Sequence, residues 1–489
     1  MKSKRNLGLS RYHELIGASA VDLVERLRSG ELKPHDLLDA VEARIAVVDP
    51  LVNALPTRCF DRARDHADAL TKLPVEARGL LAGMPVPIKD LTNVAGVRTT
   101  QGSPIFADFV PTTSDVSVER LEAEGGIVYA KSNTPEFGAG ANTFNDVFGA
   151  TLNPYDTSRS AAGSSGGAAV ALATGMAWLA HGSDLGGSLR NPASFCGIVG
   201  MRPTPGRVAQ SRALCVDSTL GVQGPMARTV EDLALLLDAM AGDDPRDPIS
   251  KPRPAQSFLS AARSNWKPAR VAFSADLGIT PVDRQVADIT RAAAQRFGEA
   301  GVIVEEAHPD LSEAHESFQV LRAQNFALSL GNILEHHRDR LKPEVVWNIE
   351  KGFGLTAADI VRAEHQRAAM TARFTKFFER YDLLLCPATI VPPFPVGERY
   401  VKSCNGVTFE TYVDWLAIAY AITLVCAPAL SLPCGFTEDG LPVGLQIVAP
   451  ANADGRVLAG ARLLEGILGL GTVEPVEPKA AMAPAGNAP

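Results

Sequence analysis

The feature that most constrains this chain is the alternation of amphipathic helical runs with short segments that are apolar throughout. "TSDVSVERLEAEGG" has helical spacing and a glycine stop, and "IVYAKSN" directly behind it has the length and composition of a buried strand. Strands of this kind must be covered by helices, which makes the fold class α/β: a single large α/β/α domain with a mixed, twisted central sheet. The punctuation recurs elsewhere. "SAVDLVERLRSG" opens on Ser19 with Asp22 following and stops at Gly30, and "KPHDLLDAVEARIAVVDP" repeats the apolar spacing, so helices occupy about residues 18–72. "LAGMPVPIKD" reads as a buried strand whose end carries Lys89 and Asp90.

Later segments continue the pattern. "VEDLALLLDAMAG" and "QVADITRAAAQRFGEAG" read as helices, and residues 311–380 are mostly helical. "ARVAFSADLG", "YDLLLCPAT", "PALSLPCGF" and "LPVGLQIVAP" have buried-strand character and are expected to complete the same sheet. "GDDPRDPISKPRPAQ" is polar and proline-containing, and is expected to be a long surface loop. The domain is expected to span residues 1–472. The Pro-, Ala- and Gly-rich tail, 473–489, is expected to be poorly ordered unless something holds it.

Composition narrows the function classes. With 46% hydrophobic residues the 489-residue chain can bury a sizeable core, and a net charge of -8 without a basic stripe argues against direct nucleic-acid binding. No segment reaches the ~18 uninterrupted apolar residues of a membrane span, and no apolar run of signal-peptide length follows the basic start. A cytoplasmic protein without membrane contact is expected. The seven cysteines are odd in number and lack a CxxC pair, which favours reduced thiols over disulfides or a cysteine zinc site. HExxH is absent too, so neither metal nor other cofactor is expected.

Two glycine-rich loops carry the chemistry: "AAGSSGGAAV" at residues 161–170 and "GSDLGGSLRNP" beginning at Gly182. Neither fits the GxxxxGK of a P-loop or the GxGxxG of a dinucleotide fold, so phosphate binding is a poor reading. The alternative is acyl transfer. If Ser188 attacks a carbonyl, the backbone N–H groups of Leu185, Gly186, Gly187 and Ser188 lie near enough in sequence to converge on the developing oxyanion. A serine needs a base. The histidines, including His181, form no recognisable triad order and GxSxG is absent; His181 reads as a packed residue. A lysine serves if burial keeps its amine neutral. Lys89, at the end of an apolar run, suits that role, and Lys131 in "YAKSNTPEFG" is its rival. Each reads equally well as a lysine paired with a carboxylate, and Ser164 and Ser165 as helix N-caps.

Taken together, "GMPVPIKD", "AGSSGG" and "SDLGGSLRNPASFCGIVGMRPT" resemble the amidase signature family of serine hydrolases. Similarity continues through "GPMARTVEDLALLLDAMAG", "PALSLPCGF" and "GLPVGLQIV", and the signature core would span about residues 80–242. The resemblance implies a triad: Lys89 as base, Ser164 in a cis peptide as proton shuttle, and Ser188 as nucleophile, with Asp184 and Arg190 bracing the loop. It also implies that "NTPEFGAGANTF" lines the acyl pocket, where Gly138, Ala139 and Gly140 leave room for substrate or serve as close-packing positions, and the helical region 311–380 and "VTFETYVDWLAIAYAIT" are expected to wall the rest. Where the family commonly shows GGSSGG, this chain has Ala162, a position expected to be undemanding in backbone conformation.

The implied activity is hydrolysis of small to medium carboxylic amides through an acyl-enzyme, with aryl and cyclic amides among the candidates and a small-molecule amide as the partner; a homodimer is compatible with this. The alternatives are the A subunit of a glutamyl-tRNA amidotransferase, releasing ammonia from glutamine, and a non-catalytic binding or scaffold protein of the same fold.

Overall fold

The apolar segments pair into two sheets. In the computed structural model, which describes residues 12–211, 218–469 and 474–480, a small sheet contains β1 (Thr57–Arg58), β2 (Pro85–Lys89) and β3 (Ile127–Ser132) in the order β1-β3-β2, with β2 parallel to β3. A large sheet contains β4 (Leu179–Asp184), β5 (Val199–Arg202), β6 (Val222–Ala227), β7 (Arg270–Phe273), β8 (Ile303–Glu306), β9 (Leu383–Pro387), β10 (Ala429–Phe436) and β11 (Pro442–Val448). Its order is β8-β7-β9-β11-β10-β5-β6-β4. β7 runs parallel to β8 and β9, and the remaining neighbours are antiparallel, so the sheet is mixed.

The late strands therefore do not join the sheet of "PVPIK" and "IVYAKS", as the sequence suggested. β2 and β4 are the facing edges of separate sheets, and there a side chain bridges them: Lys89 Nζ donates to Ser183 Oγ at 3.0 Å. The candidate site residues Lys89, Ser164 and Ser188 gather at this junction.

Helices cover the large sheet on both faces. They are α1 (Ala20–Ser29), α2 (Pro34–Val52), α3 (Val116–Ala123), α4 (Gly166–Ala173), α5 (Arg190–Cys196), α6 (Val230–Met240), α7 (Arg284–Gln295), α8 (Ala314–His337), α9 (Pro343–Phe353), α10 (Ala357–Phe377), α11 (Ala417–Leu424) and α12 (Asp454–Leu468). Alternation along β9 shows the two faces directly: Leu383 and Leu385 enter a core shared with α1, α2, α4, α6 and α12, whereas Leu384 and Cys386 enter one shared with α8, α10 and α11. The helix signals in the sequence are physical ones. The Ser19 hydroxyl accepts from Asp22 N–H at 3.1 Å, and Gly30 closes α1 at a φ of 78°.

Residues 242–256 run without helix or strand between α6 and Phe258, as their composition suggests. The tail departs from expectation. Residues 474–480 lie against the body, with Val476 N–H donating to Ala173 O at 2.7 Å, Lys479 N–H to Pro154 O at 3.1 Å and Thr157 N–H to Lys479 O at 3.0 Å. The chain itself supplies the partner that proline-rich sequence lacks; residues 473 and 481–489 lie outside the described residues. Six cysteines are free thiols, and Cys215 also lies outside the described residues. Among the described residues no helix is long and apolar enough to cross a membrane.

Candidate active site

Lys89 ends β2 with its side chain completely buried. Nζ reaches Ser164 Oγ at 2.7 Å, Ser165 Oγ at 2.9 Å, Ser183 Oγ at 3.0 Å and Ser183 O at 3.4 Å. Burial pushes its ammonium down to about 7, opposed by the charge of Asp184. An ammonium has three N–H donors for these four acceptors. A neutral amine has two donors and a lone pair, so one hydroxyl must then donate to Nζ, and that of Ser164 is the nearest.

The first glycine-rich loop delivers the two serines. The Gly163–Ser164 peptide is cis. Ser165 precedes α4, yet its hydroxyl makes no capping bond and instead meets Lys89, so the N-cap reading does not hold for it. α4 is apolar and buried on all sides, and Gly167 lets it press against neighbouring chain: a Cβ there would meet Asn133 N at 2.4 Å and Ala54 O at 2.5 Å. Ala162 is not undemanding, contrary to expectation, because its φ is 55°, in the left-handed region. Both its backbone groups are held, N–H by Ser160 Oγ at 2.9 Å and C=O by Thr143 Oγ1 at 2.8 Å.

The second loop is organised around Asp184, at the end of β4. Arg190 grips its carboxylate with two bonds, Nε to Oδ2 at 3.0 Å and Nη2 to Oδ1 at 2.9 Å, and Arg202 Nη1 lies 3.6 Å from Oδ1. Burial alone would raise the Asp184 carboxyl, but Arg190 and then Arg202 hold it well below the usual carboxylate range. The carboxylate also accepts from the N–H groups of Gly187, at 3.0 Å, and Leu189, at 3.1 Å. This corrects one expected role: the Gly187 amide is spent on Asp184. Gly187 serves the loop through its φ of 105°, where a Cβ would meet Asn191 Oδ1 at 2.5 Å. The amides of Leu185, Gly186 and Ser188 have no acceptor among the described residues.

Ser188 and Ser164 line one cavity of about 230 Å3, together with Leu185, Gly186, Gly138 and Gly140. Ala139 does not line it. It is fully buried in a side cluster with Val345 and Ile349, and its carbonyl accepts from Lys342 Nζ at 2.6 Å. Phe137, Phe318, Arg322, Phe326 and Leu416 also line the cavity; they fall in the segments expected to wall the pocket, though the sequence did not single them out, and it missed Ser183, the third hydroxyl on Lys89. Ser183 had a visible signal in its position beside Asp184; for the wall on α8 and at Leu416 the sequence indicated the segments but not which side chains face the cavity.

The rival base is occupied elsewhere. Lys131 Nζ donates to Thr92 O at 2.6 Å and Thr99 Oγ1 at 2.8 Å, with Asp90 Oδ1 at 3.5 Å. Burial lowers it to about 8 against the pull of Asp90. His181 is a packed residue bonded to Gln223 at 2.9 Å, its imidazole pushed down to about 4 by burial. Among the described residues no three His, Cys, Asp or Glu side chains form a group able to hold a metal ion.

The description "Amidase" belongs to the family model that matches residues 36–458. The chain is 36% identical over 456 residues to the acylamidase of Rhodococcus erythropolis, covering 92% of this chain and 95% of that protein. It is 35% identical over 478 residues to the A subunit of the glutamyl-tRNA(Gln) amidotransferase of Moorella thermoacetica, covering 92% and 97%. The crystal structure of a bacterial aryl acylamidase superposes with a TM-score of 0.85 at 26% identity, covering 93% of this chain and 98% of that one.

Proposed function

The chain belongs to the amidase signature family and is an amide hydrolase, and on that premise we propose that it cleaves the C–N bond of small to medium carboxylic amides by a Ser188–Ser164–Lys89 relay. The observation that carries this is the buried Lys89 amine, pushed down to about 7 and bonded to Ser164 under a cavity that Ser164 and Ser188 share. Neutral Lys89 takes the proton of Ser164 as Ser164 takes that of Ser188, and Ser188 Oγ attacks the amide carbonyl. The amides of Leu185, Gly186 and Ser188 stabilise the oxyanion, a contribution of roughly 100-fold or more per donor. The protons return to the leaving amine, and water cleaves the Ser188 ester by the same relay in reverse.

The cavity wall of Phe137, Phe318, Phe326 and Leu416 favours an apolar or aryl moiety, in keeping with the acylamidase relative and the aryl acylamidase structure. The 35% identity to an amidotransferase chain supports a second reading, ammonia release from glutamine. Against it, Asp184 is the one carboxylate among the described lining residues, and Arg190 already holds it, leaving no free anion for an amino-acid ammonium. A panel of anilides, alkyl amides, lactams and glutamine, assayed on the chain alone, separates the readings. Anilide or alkyl amide turnover is expected; ammonia release from glutamine alone favours the second reading.

A further inference from the structure

One cation on the cavity wall has no anion. Arg322, on α8, lines the cavity at 6% exposure. Its Nη1 donates to Asn348 Oδ1, the Tyr412 hydroxyl is beside it, and its guanidinium carbon lies 4.3 Å from the centroid of the Phe326 ring and 5.2 Å from that of Tyr412. All of these partners are neutral. Among the described residues no carboxylate comes within ion-pair distance, whereas the buried Arg190, Arg202 and Arg207 each face one at 2.9, 3.6 and 3.5 Å. A guanidinium has five N–H donors, and neutral partners on one side leave donors for the cavity. Removing a cation from water without an opposing charge is costly, and a bound anion would offset that cost.

The wall also sets a distance. Phe318, Arg322 and Phe326 follow one another at i, i+4 and i+8 on one face of α8. Phe318 sits on the nucleophile loop, where a Cβ added to Gly186 would be 3.2 Å from its Cζ. Arg322 is one helical turn further along, about 6 Å of rise.

We propose that Arg322 receives an anionic group of the substrate, so that the preferred substrates are small amides bearing a carboxylate a few bonds from the scissile carbonyl. Asn348 and the aromatic rings hold the guanidinium flat, with its free edge toward the incoming carboxylate. This rests on the reading of the cavity as the amide site.

The test uses succinanilate, with the carboxylate on the acyl side, and 4-acetamidobenzoate, with it on the amine side. Each is compared with the neutral amide carrying an isopropyl group in place of the carboxylate. Amine release gives kcat/KM, and calorimetry on Ser188→Ala gives binding without turnover. At least one acid should be preferred over its neutral analogue by about 10-fold or more, the worth of a charge-assisted hydrogen bond. R322Q should bring that ratio near one, and R322K should retain part of it. Absence of preference for either acid, or a preference that survives R322Q, overturns the proposal. Should R322Q fail to fold, the wild-type ratio and its fall in R322K decide. Failure of every amide to turn over sinks the hydrolase reading instead, and the binding ratio on Ser188→Ala then still decides the role of Arg322.

Discussion

At the scale of single residues, the site turns on how one lysine is housed. Lys89 is buried among three hydroxyls with Asp184 as the nearby charge, and its amine loses its proton near neutral pH. In the proposed relay the base is the neutral form, so kcat/KM should rise with pH through about 7 and level off above it. Lys89→Ala should remove that limb and lower kcat/KM by roughly 100-fold to 10,000-fold, the usual share of a positioned base, as read from a pH–rate profile. Ser183 tests the housing without touching the relay. Its hydroxyl favours the ammonium by accepting from it, so Ser183→Ala should move the limb to lower pH; an unmoved limb would show that Ser183 only fills space.

At the scale of elements, two loops and two strand ends meet because each is fixed by its own polar contacts. The Asp184–Arg190 pair ties the end of β4 to the start of α5, and Arg190 Nη1 continues to Ala419 O of α11 at 2.9 Å. Asp184→Asn leaves Arg190 and Arg202 without their anion and should cost about 3–5 kcal/mol of stability, measured by denaturant unfolding. Much of this level was legible in the sequence. Caps such as Ser19 and stops such as Gly30 are local chemistry, and short apolar runs in two-faced sheets need no partner to be recognised. The serines and Lys89 stood out because their loops and strand are unusual in composition. Other features depend on tertiary register and left no local trace: that β2 and β4 belong to different sheets, that Ala139 turns into a side cluster while Gly138 and Gly140 face the cavity, and that the Gly187 amide points at Asp184. Ala162 shows the converse limit, since alanine gives no sequence signal of the left-handed backbone it adopts.

At the scale of the whole molecule, the site occupies the seam between the small and the large sheet, and the tail fastens one side of that seam. Val476 N–H bonds to Ala173 O, at the far end of the helix that follows Ser164 and Ser165. Removing residues 474–489 deletes, among the described residues, three backbone hydrogen bonds and the Glu477–Arg44 ion pair. Stability should fall by about 1–3 kcal/mol in thermal melts, most of it from the hydrogen bonds, because Glu477 is exposed. The proposed function reduces to one chemical event, the transfer of an acyl group to Ser188. Intact-protein mass spectrometry of the enzyme quenched during turnover of an activated anilide, with peptide mapping of the adduct, tests it most directly. The expected result is a mass increase equal to the acyl group, located on Ser188, absent in Ser188→Ala and slow to form in Lys89→Ala; an acyl group on any other residue, or undiminished turnover by Ser188→Ala, would contradict the account.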